Sequence, residues 1–351
     1  MNAAAMQKVI HFISGLPRSG STLLAAILRQ NPRFHAGMSS PVASLFMALQ
    51  GAMSQAVIKM TSHSSCASII LSSLLIAVAT CGTWVSLDSR AASKVTNKPP
   101  MPVQTVTFKS GDHILFGVLY KPEGRGPFPG LIWNHGSEKA PGAGPQFNTV
   151  ASIFAPAGYV VFAPVRRGHG YSQGQYIADV VQETRKSKGL DAANRMTVHL
   201  LETEQLDDQL AGLAYVKRLA FVDTGRIAVA GCSYGGIQTL LGAERNVGYK
   251  AAISISPAAL SWARNPFLQQ LLVESVRGIN IPVLLLQPAR DASLEPSRIL
   301  GGEATRLGKS FTTKVYPDTG PEDERGHCFG GAKGMHVWAD DAKEFRAANL
   351  R

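Results

Sequence analysis

In Gly231-Cys232-Ser233-Tyr234-Gly235-Gly236, a serine sits among small residues, with an apolar run in front and a small-residue run behind. A serine hydroxyl is a weak nucleophile, so such a motif does chemistry only where a base takes its proton and a third group orients that base. Arg226–Ala230 reads as a short strand buried on both faces, and Ile237–Ala243 continues at helical spacing. A strand, a sharp turn and a helix would hold the Ser233 hydroxyl exposed in a strained conformation. Glycines at 231, 235 and 236 leave room where strand and helix pack closely. The chemistry this permits is acyl transfer, with Ser233 as candidate nucleophile.

Candidate partners lie downstream. The strand-like run Ile281–Gln287 is followed by Asp291, just past the strand's carboxyl end, where open parallel sheets place their functional loops. Glu295, one turn later, is the fallback acid, although a carboxylate there also suits the start of a helix near Pro296. The base is expected behind the last strand-like run, Phe311–Pro317. A polar loop, 318–326, leads there to His327, which can reach back to the serine. His336 is the competitor, but it stands beside Val337 and Trp338 at the start of a terminal helix, where a packed or capping role fits it better. His135 and His169 precede the serine in the chain, and His135 is expected to bond loop backbone.

A tetrahedral intermediate needs backbone donors aimed at its oxyanion. The amide of Tyr234, next to the nucleophile, is one candidate. The other comes from the turn His135-Gly136-Ser137 behind the strand Pro129–Asn134, with the Ser137 amide assigned and Gly136 as the adjacent alternative. No metal or organic cofactor is required by this chemistry.

Positioning these groups takes a regular framework. Apolar runs near residues 114–120, 129–134, 159–165, 226–230, 250–256, 281–287 and 311–316 alternate with helical stretches near 146–157, 203–219, 235–245, 262–277, 295–308 and 338–349. That rhythm predicts an α/β fold with a mostly parallel sheet flanked by helices. Residues 171–202 are polar and charged and read as a cap or surface insertion over the site. The net charge of +11 is unevenly spread: the first 87 residues carry Lys8, Arg18, Arg29, Arg33 and Lys59 with no Asp or Glu. No basic cluster is interleaved with aromatics, so nucleic-acid binding is not expected. Four cysteines, at 66, 81, 232 and 328, have neither disulfide-scaffold density nor zinc-ligand spacing. Strand alternation turns Cys232 away from the cleft, as a bystander to the chemistry. Cys232 and Cys328 each neighbour a candidate catalytic residue, and their pairing stays open as an alternative.

Residues 103–349 resemble the α/β-hydrolases, and most closely the dienelactone hydrolase-like and prolyl-oligopeptidase-like branch with a serine nucleophile. The resemblance rests on Gly231–Gly236, Asn134-His-Gly-Ser137, Arg166-Arg-Gly-His-Gly-Tyr-Ser-Gln-Gly174 and Gly326-His-Cys-Phe329. It implies the chain order Ser, Asp, His for the triad, which Ser233, Asp291 and His327 follow. The named dienelactone hydrolases use cysteine as nucleophile, and this chain departs from them with serine at 233.

The first hundred residues read differently. Lys8–Ser14 is strand-like, Gly15–Thr22 forms a glycine-containing loop, and Leu23–Arg29 is helical. Spacing matches a phosphate loop, but Ser21 stands where the nucleotide-binding lysine belongs. With Arg18, Ser19, Gly20, Ser21 and Thr22, residues 7–55 resemble the sulfotransferase segment that holds the 5′ phosphosulfate of PAPS. The sheet that would complete such a domain is claimed by the hydrolase, so the loop is expected to be vestigial, without sulfotransferase activity. Cys66–Val85 is an uncharged stretch long enough to cross a bilayer. Ala77-Val78-Ala79 resembles a cleavage site, Met60 an initiator, and the residues before Cys81 a lipoprotein box. A buried helix, or a transit peptide over residues 1–87, is the competing reading. The expected organisation is a sulfotransferase-like fragment (1–55), a signal-like or transmembrane segment (56–87), a linker (88–102) and a hydrolase domain (103–351). Acting as a signal, residues 60–87 imply a secreted, periplasmic or membrane-anchored protein, and otherwise a cytoplasmic one.

The leading expectation is a serine hydrolase of small carboxylic esters. Peptidase activity is the nearest alternative. Oligopeptidase relatives restrict access with a repeat-built propeller, and this sequence contains no internal repeat. A non-catalytic, membrane-anchored binding protein is the alternative of another class.

Overall fold

The computed structural model describes residues 103–141 and 146–350. The expectations for the phosphate loop at Arg18–Thr22, the apolar segment 66–85 and the linker lie outside the described residues. Among the described residues no helix is long and apolar enough to cross a membrane.

Eight strands form one sheet: β1 (Val103–Ser110), β2 (His113–Tyr120), β3 (Phe128–Asn134), β4 (Val160–Val165), β5 (Val222–Cys232), β6 (Tyr249–Ile255), β7 (Val283–Pro288) and β8 (Phe311–Tyr316). Their spatial order is β1-β2-β4-β3-β5-β6-β7-β8. The pairs β1/β2 and β2/β4 are antiparallel, and all the others are parallel. Among the described residues, seven helices cross between strands or follow the last of them: α1 (Gln146–Phe154), α2 (Ile177–Glu202), α3 (Glu204–Lys217), α4 (Tyr234–Glu244), α5 (Pro266–Gly278), α6 (Glu295–Arg306) and α7 (Met335–Asn349).

The central strands are apolar throughout because helices cover both faces of the sheet. In β3 the alternation is explicit. Leu131 and Trp133 face the core shared with Phe154 of α1 and Trp338 of α7, while Ile132 faces the core shared with Leu240 of α4 and Leu272 of α5. Trp133 stacks on Trp338 with ring centroids 6.2 Å apart. β5 repeats the pattern, sending Ile227 and Val229 to one side and Ala228, Ala230 and Cys232 to the other.

Two elements were not read from the sequence. β1 is an antiparallel edge strand with only half its residues turned inward, such as Phe108, so it carries no continuous apolar run. Helix α2 occupies most of the stretch expected to be a cap. Only Ile177, Ala193, Leu200 and Leu201 are buried along it, which leaves no apolar period to read, and Gly189 interrupts it at φ 85°. The expected helix 262–277 is divided: Trp262–Arg264 makes a single tight turn, and α5 starts at Pro266. Its N-cap Asn265 accepts a hydrogen bond from the Leu268 amide at 3.1 Å.

Candidate active site

The parallel register brings the carboxyl ends of β3, β5 and β6 level, with Asn134 opposite Gly231 and Cys232 opposite Ile255. Ser233 follows β5 at once and is the residue before α4. Its backbone is in the left-handed region, φ 59° and ψ −118°, an unfavourable conformation for a residue with a Cβ. It is held there by hydrogen bonds on both sides: the Ser233 amide donates to the Ile255 carbonyl at 2.9 Å, and the Ile237 amide donates to the Ser233 carbonyl at 3.1 Å. Glycine is required nearby for space. A Cβ on Gly231 would stand 2.5 Å from the Gly235 carbonyl oxygen, and one on Gly235 would run into the Asn134 carbonyl.

Three side chains from distant parts of the sequence meet here. His327 Nε2 lies 2.8 Å from Ser233 Oγ, and His327 Nδ1 lies 2.7 Å from Asp291 Oδ1. Asp291 stands in the turn after β7, and its side chain is fully buried. Burial pushes its carboxyl up. Hydrogen bonds with His327, Ser256 and Gln287 together outweigh that, and the group sits below its ordinary value. The Ala292 amide donates to Oδ1 at 2.8 Å, and Gln287 Nε2 donates to Oδ2 at 3.0 Å. Ser256 and Gln287 were not anticipated. Both are buried polar residues at the ends of apolar strands, which is the one sequence signal that marked them.

His327 is carried by a loop with its own anchors. Cys328 and Phe329 have φ of 55° and 56°, and Phe329 is buried edge-on against Tyr316 of β8. Cys328 is joined to Cys232 by a disulfide, with Cα atoms 6.0 Å apart. The expectation that Cys232 is a bystander is therefore corrected. Strand alternation sends it to the α1/α7 face of the sheet, as expected, and the half-buried Cys328 packs on that same face. The bridge ties the residue before Ser233 to the residue after His327. It spans a sequence separation of 96, for which loop-closure entropy predicts up to about 4–5 kcal/mol. Reduction with dithiothreitol should lower the free energy of unfolding by about 2–4 kcal/mol, measured by urea titration with and without reductant. Equal stability in the two conditions would contradict a structural role for the bridge.

The competing residues lie elsewhere. Glu295 is at the start of α6, where its carboxylate takes Arg298 Nη2 at 2.7 Å and Nε at 3.0 Å. His336 lies within α7, exposed, with Nδ1 2.9 Å from the Lys333 carbonyl and Nε2 3.5 Å from Glu324.

The turn behind β3 abuts the elbow. Asn134, His135 and Gly136 are buried, and Ser137 is exposed. His135 Nε2 accepts from the Arg166 amide at 3.2 Å, so the ring proton is on Nδ1, which faces the Gly136 carbonyl at 2.9 Å. Tyr176, just before α2, donates its hydroxyl to the Ser137 carbonyl at 2.6 Å. Lys139, Tyr176, Asp179 and Glu183 line an open cleft of about 650 Å3 beside this turn, which none of Ser233, Asp291 and His327 lines. His169 is buried between the rings of His135 and Tyr176, at centroid distances of 4.7 and 4.9 Å.

Burial first, and the Arg166 charge second, lower His169 from 6.5 to about 4 and hold His135 well below its ordinary value. Both imidazoles are thus neutral in the fold and protonate more readily once unfolded. Stability is full above pH 6.5 and is lost as pH falls towards 4, by up to about 3 kcal/mol for His169 alone. Urea unfolding across that window should show the fall, with a shallower slope in His169→Gln; a flat profile would contradict it.

This architecture is the α/β-hydrolase-like fold: a mostly parallel sheet, flanking helices and a strained serine between a strand and a helix. Residues 187–264 match the Prolyl oligopeptidase family. Human (Homo sapiens) dipeptidyl peptidase 8 is 27% identical over 190 residues, covering 52% of this chain and 19% of that protein. The chain thus spans a minor part of that relative's length. Among solved structures, the Pyrococcus horikoshii acylaminoacyl peptidase superposes with a TM-score of 0.54 at 18% identity, covering 72% of this chain and 42% of that one. An esterase of Pyrococcus furiosus superposes with a TM-score of 0.53 at 17% identity, covering 72% of this chain and 94% of that one.

Proposed function

We propose that the chain is a serine hydrolase that cleaves carboxylic esters of small molecules through Ser233, His327 and Asp291. The observation that carries this reading is the continuous hydrogen-bonded series from Ser233 Oγ through His327 to the buried Asp291, built on a serine held at positive φ. In the first step His327 Nε2 takes the hydroxyl proton as Ser233 Oγ bonds to the acyl carbon. The intermediate's oxyanion is met by the amides of Tyr234 and Ser137. Collapse breaks the bond to the leaving alkoxide, which receives the proton from His327 and departs as the alcohol. Water then adds to the acyl-enzyme, again giving its proton to His327, and the carboxylic acid leaves as Ser233 recovers its hydrogen. Asp291 keeps the ring proton on Nδ1 and stabilises the imidazolium formed twice in each cycle.

The match of residues 187–264 to the Prolyl oligopeptidase family favours a second reading, in which the same groups cleave a peptide bond. The two differ in the leaving group, since an amine must be protonated as it departs and an alkoxide much less so. p-Nitrophenyl esters of increasing acyl length, set beside peptide p-nitroanilides, separate them. The ester reading expects kcat/KM to be highest for a short acyl ester, and faster anilide turnover would contradict it. The disulfide joining Cys232 and Cys328 supports an oxidising compartment for this domain, in keeping with a secreted, periplasmic or membrane-anchored protein.

A further inference from the structure

We propose that Arg166 is a positioning residue for the oxyanion hole, fixing the peptide that presents the Ser137 amide. This rests on the hydrolase reading above and adds to it a residue that touches neither the substrate nor the three reacting side chains.

Arg166 follows β4 directly and has no solvent exposure. Its Nη2 donates to the Gly136 carbonyl at 2.7 Å and to the His135 carbonyl at 2.9 Å, and its Nε donates to Gln205 Oε1 of α3 at 3.2 Å. Its guanidinium carbon lies 5.2 Å from the centre of the Tyr234 ring. One side chain therefore contacts both residues flanking the hole, the turn that leads to Ser137 and the residue after the nucleophile.

The consequence comes from the peptide bond. In a trans peptide the carbonyl of one residue and the amide hydrogen of the next point in opposite directions. Holding the Gly136 carbonyl against Arg166 therefore turns the Ser137 N–H away from Arg166. Among the described residues that amide has no hydrogen-bond acceptor, which leaves it free for an oxyanion. The His135 Nδ1 proton adds a second bond to the Gly136 carbonyl, and Tyr176 holds the Ser137 carbonyl beyond it.

Charge adds to geometry. Asp208, the fully buried carboxylate nearby, is taken up by the neighbouring Arg167 at 2.7 Å. Among the described residues the polar contacts of the Arg166 side chain are all with uncharged groups, the His135, Gly136 and Gln205 oxygens and, at 3.1 Å, His135 Nδ1, and its Nη1 has no partner. Burial lowers the group to about 10, so it stays charged at neutral pH. Glu138, whose carboxylate lies against Gly136, and Asp208 offset this charge through space without hydrogen-bonding to it, and the remainder favours the negative charge that forms in the transition state.

The test uses the full chain, with Arg166→Met and Arg166→Lys compared with wild type. Arg166→Met should lower kcat for ester hydrolysis by about 100-fold or more, with KM within about threefold, because the missing interaction exists only in the transition state. Arg166→Lys keeps the charge but loses the planar fork and the Nε bond to Gln205 that orient the group on the two carbonyls, so it should recover only part of that loss. The preference for an ester over its thionoester, which depends on the oxyanion donors, should shrink in both variants. A folded Arg166→Met with kcat near wild type overturns the proposal. Should that variant fail to fold, Arg166→Lys with wild-type kcat and an unchanged thionoester ratio overturns it equally. A wild type that turns over neither esters nor anilides defeats the hydrolase reading and this inference with it, an outcome distinct from an active wild type whose Arg166 variants match it.

Discussion

Ser233→Ala is expected to lower kcat by about 10,000-fold or more while leaving the fold intact, since removing the proposed nucleophile leaves only the rate supplied by binding and the oxyanion donors. Alanine needs no new space at the elbow, and among the described residues the Ser233 side chain has one hydrogen-bond partner, His327 Nε2. The backbone bonds to Ile255 and Ile237 that hold the positive φ are untouched by the change. Far-ultraviolet circular dichroism and the unfolding midpoint should therefore match wild type. Substrate binding should survive, so an inhibitor that binds reversibly should keep its affinity within a few-fold. Turnover within tenfold of wild type would mean that another residue attacks the acyl carbon.

Asp291→Asn should be nearly as costly, about 10,000-fold in kcat, through the wrong tautomer of His327. The carboxylate accepts from Nδ1, which leaves Nε2 free to take the serine proton. An asparagine amide in that place donates to Nδ1, and the ring proton moves to Nε2, facing Ser233 Oγ. Gln287 Nε2, which donates to Oδ2, would hold the asparagine oxygen in that place and leave its NH2 facing His327, at the cost of the Ala292 amide's bond to Oδ1. The loss would then be chemical rather than structural. Glu295→Gln is the matching control, because its carboxylate is exposed and engaged by Arg298. It should change kcat by less than about twofold. A large loss from Glu295→Gln with a small one from Asp291→Asn would exchange the two assignments.

The strands that carry the site were legible because the sheet is buried on both faces. Runs such as Val283–Pro288 contain no exposed position, so they stand out as apolar stretches ended by polar turns. Candidates Ser233 and Asp291 were placed at the carboxyl ends of parallel strands, and His327 in the loop behind the last strand, in the order the α/β-hydrolase resemblance implies. Helix α2 escaped because its exposed length carries little apolar signal, and β1 because an edge strand shows only one face to the core. The supporting groups escaped for another reason. Ser256 reaches Asp291 and Arg166 reaches Gly136 across 30 residues of chain or more, and Gln287 reaches Asp291 through a turn whose path no local pattern encodes. The cysteine pair was half legible. Its members neighbour Ser233 and His327 in the sequence, and their closeness follows once those two residues meet.

The most direct test is covalent. Treating the folded full-length chain with a fluorophosphonate probe and mapping the adduct by mass spectrometry should place the phosphonyl group on Ser233. Labelling should be absent in Ser233→Ala and much slower in His327→Ala. No labelling of the folded wild type, or an adduct on any other residue, would contradict the account.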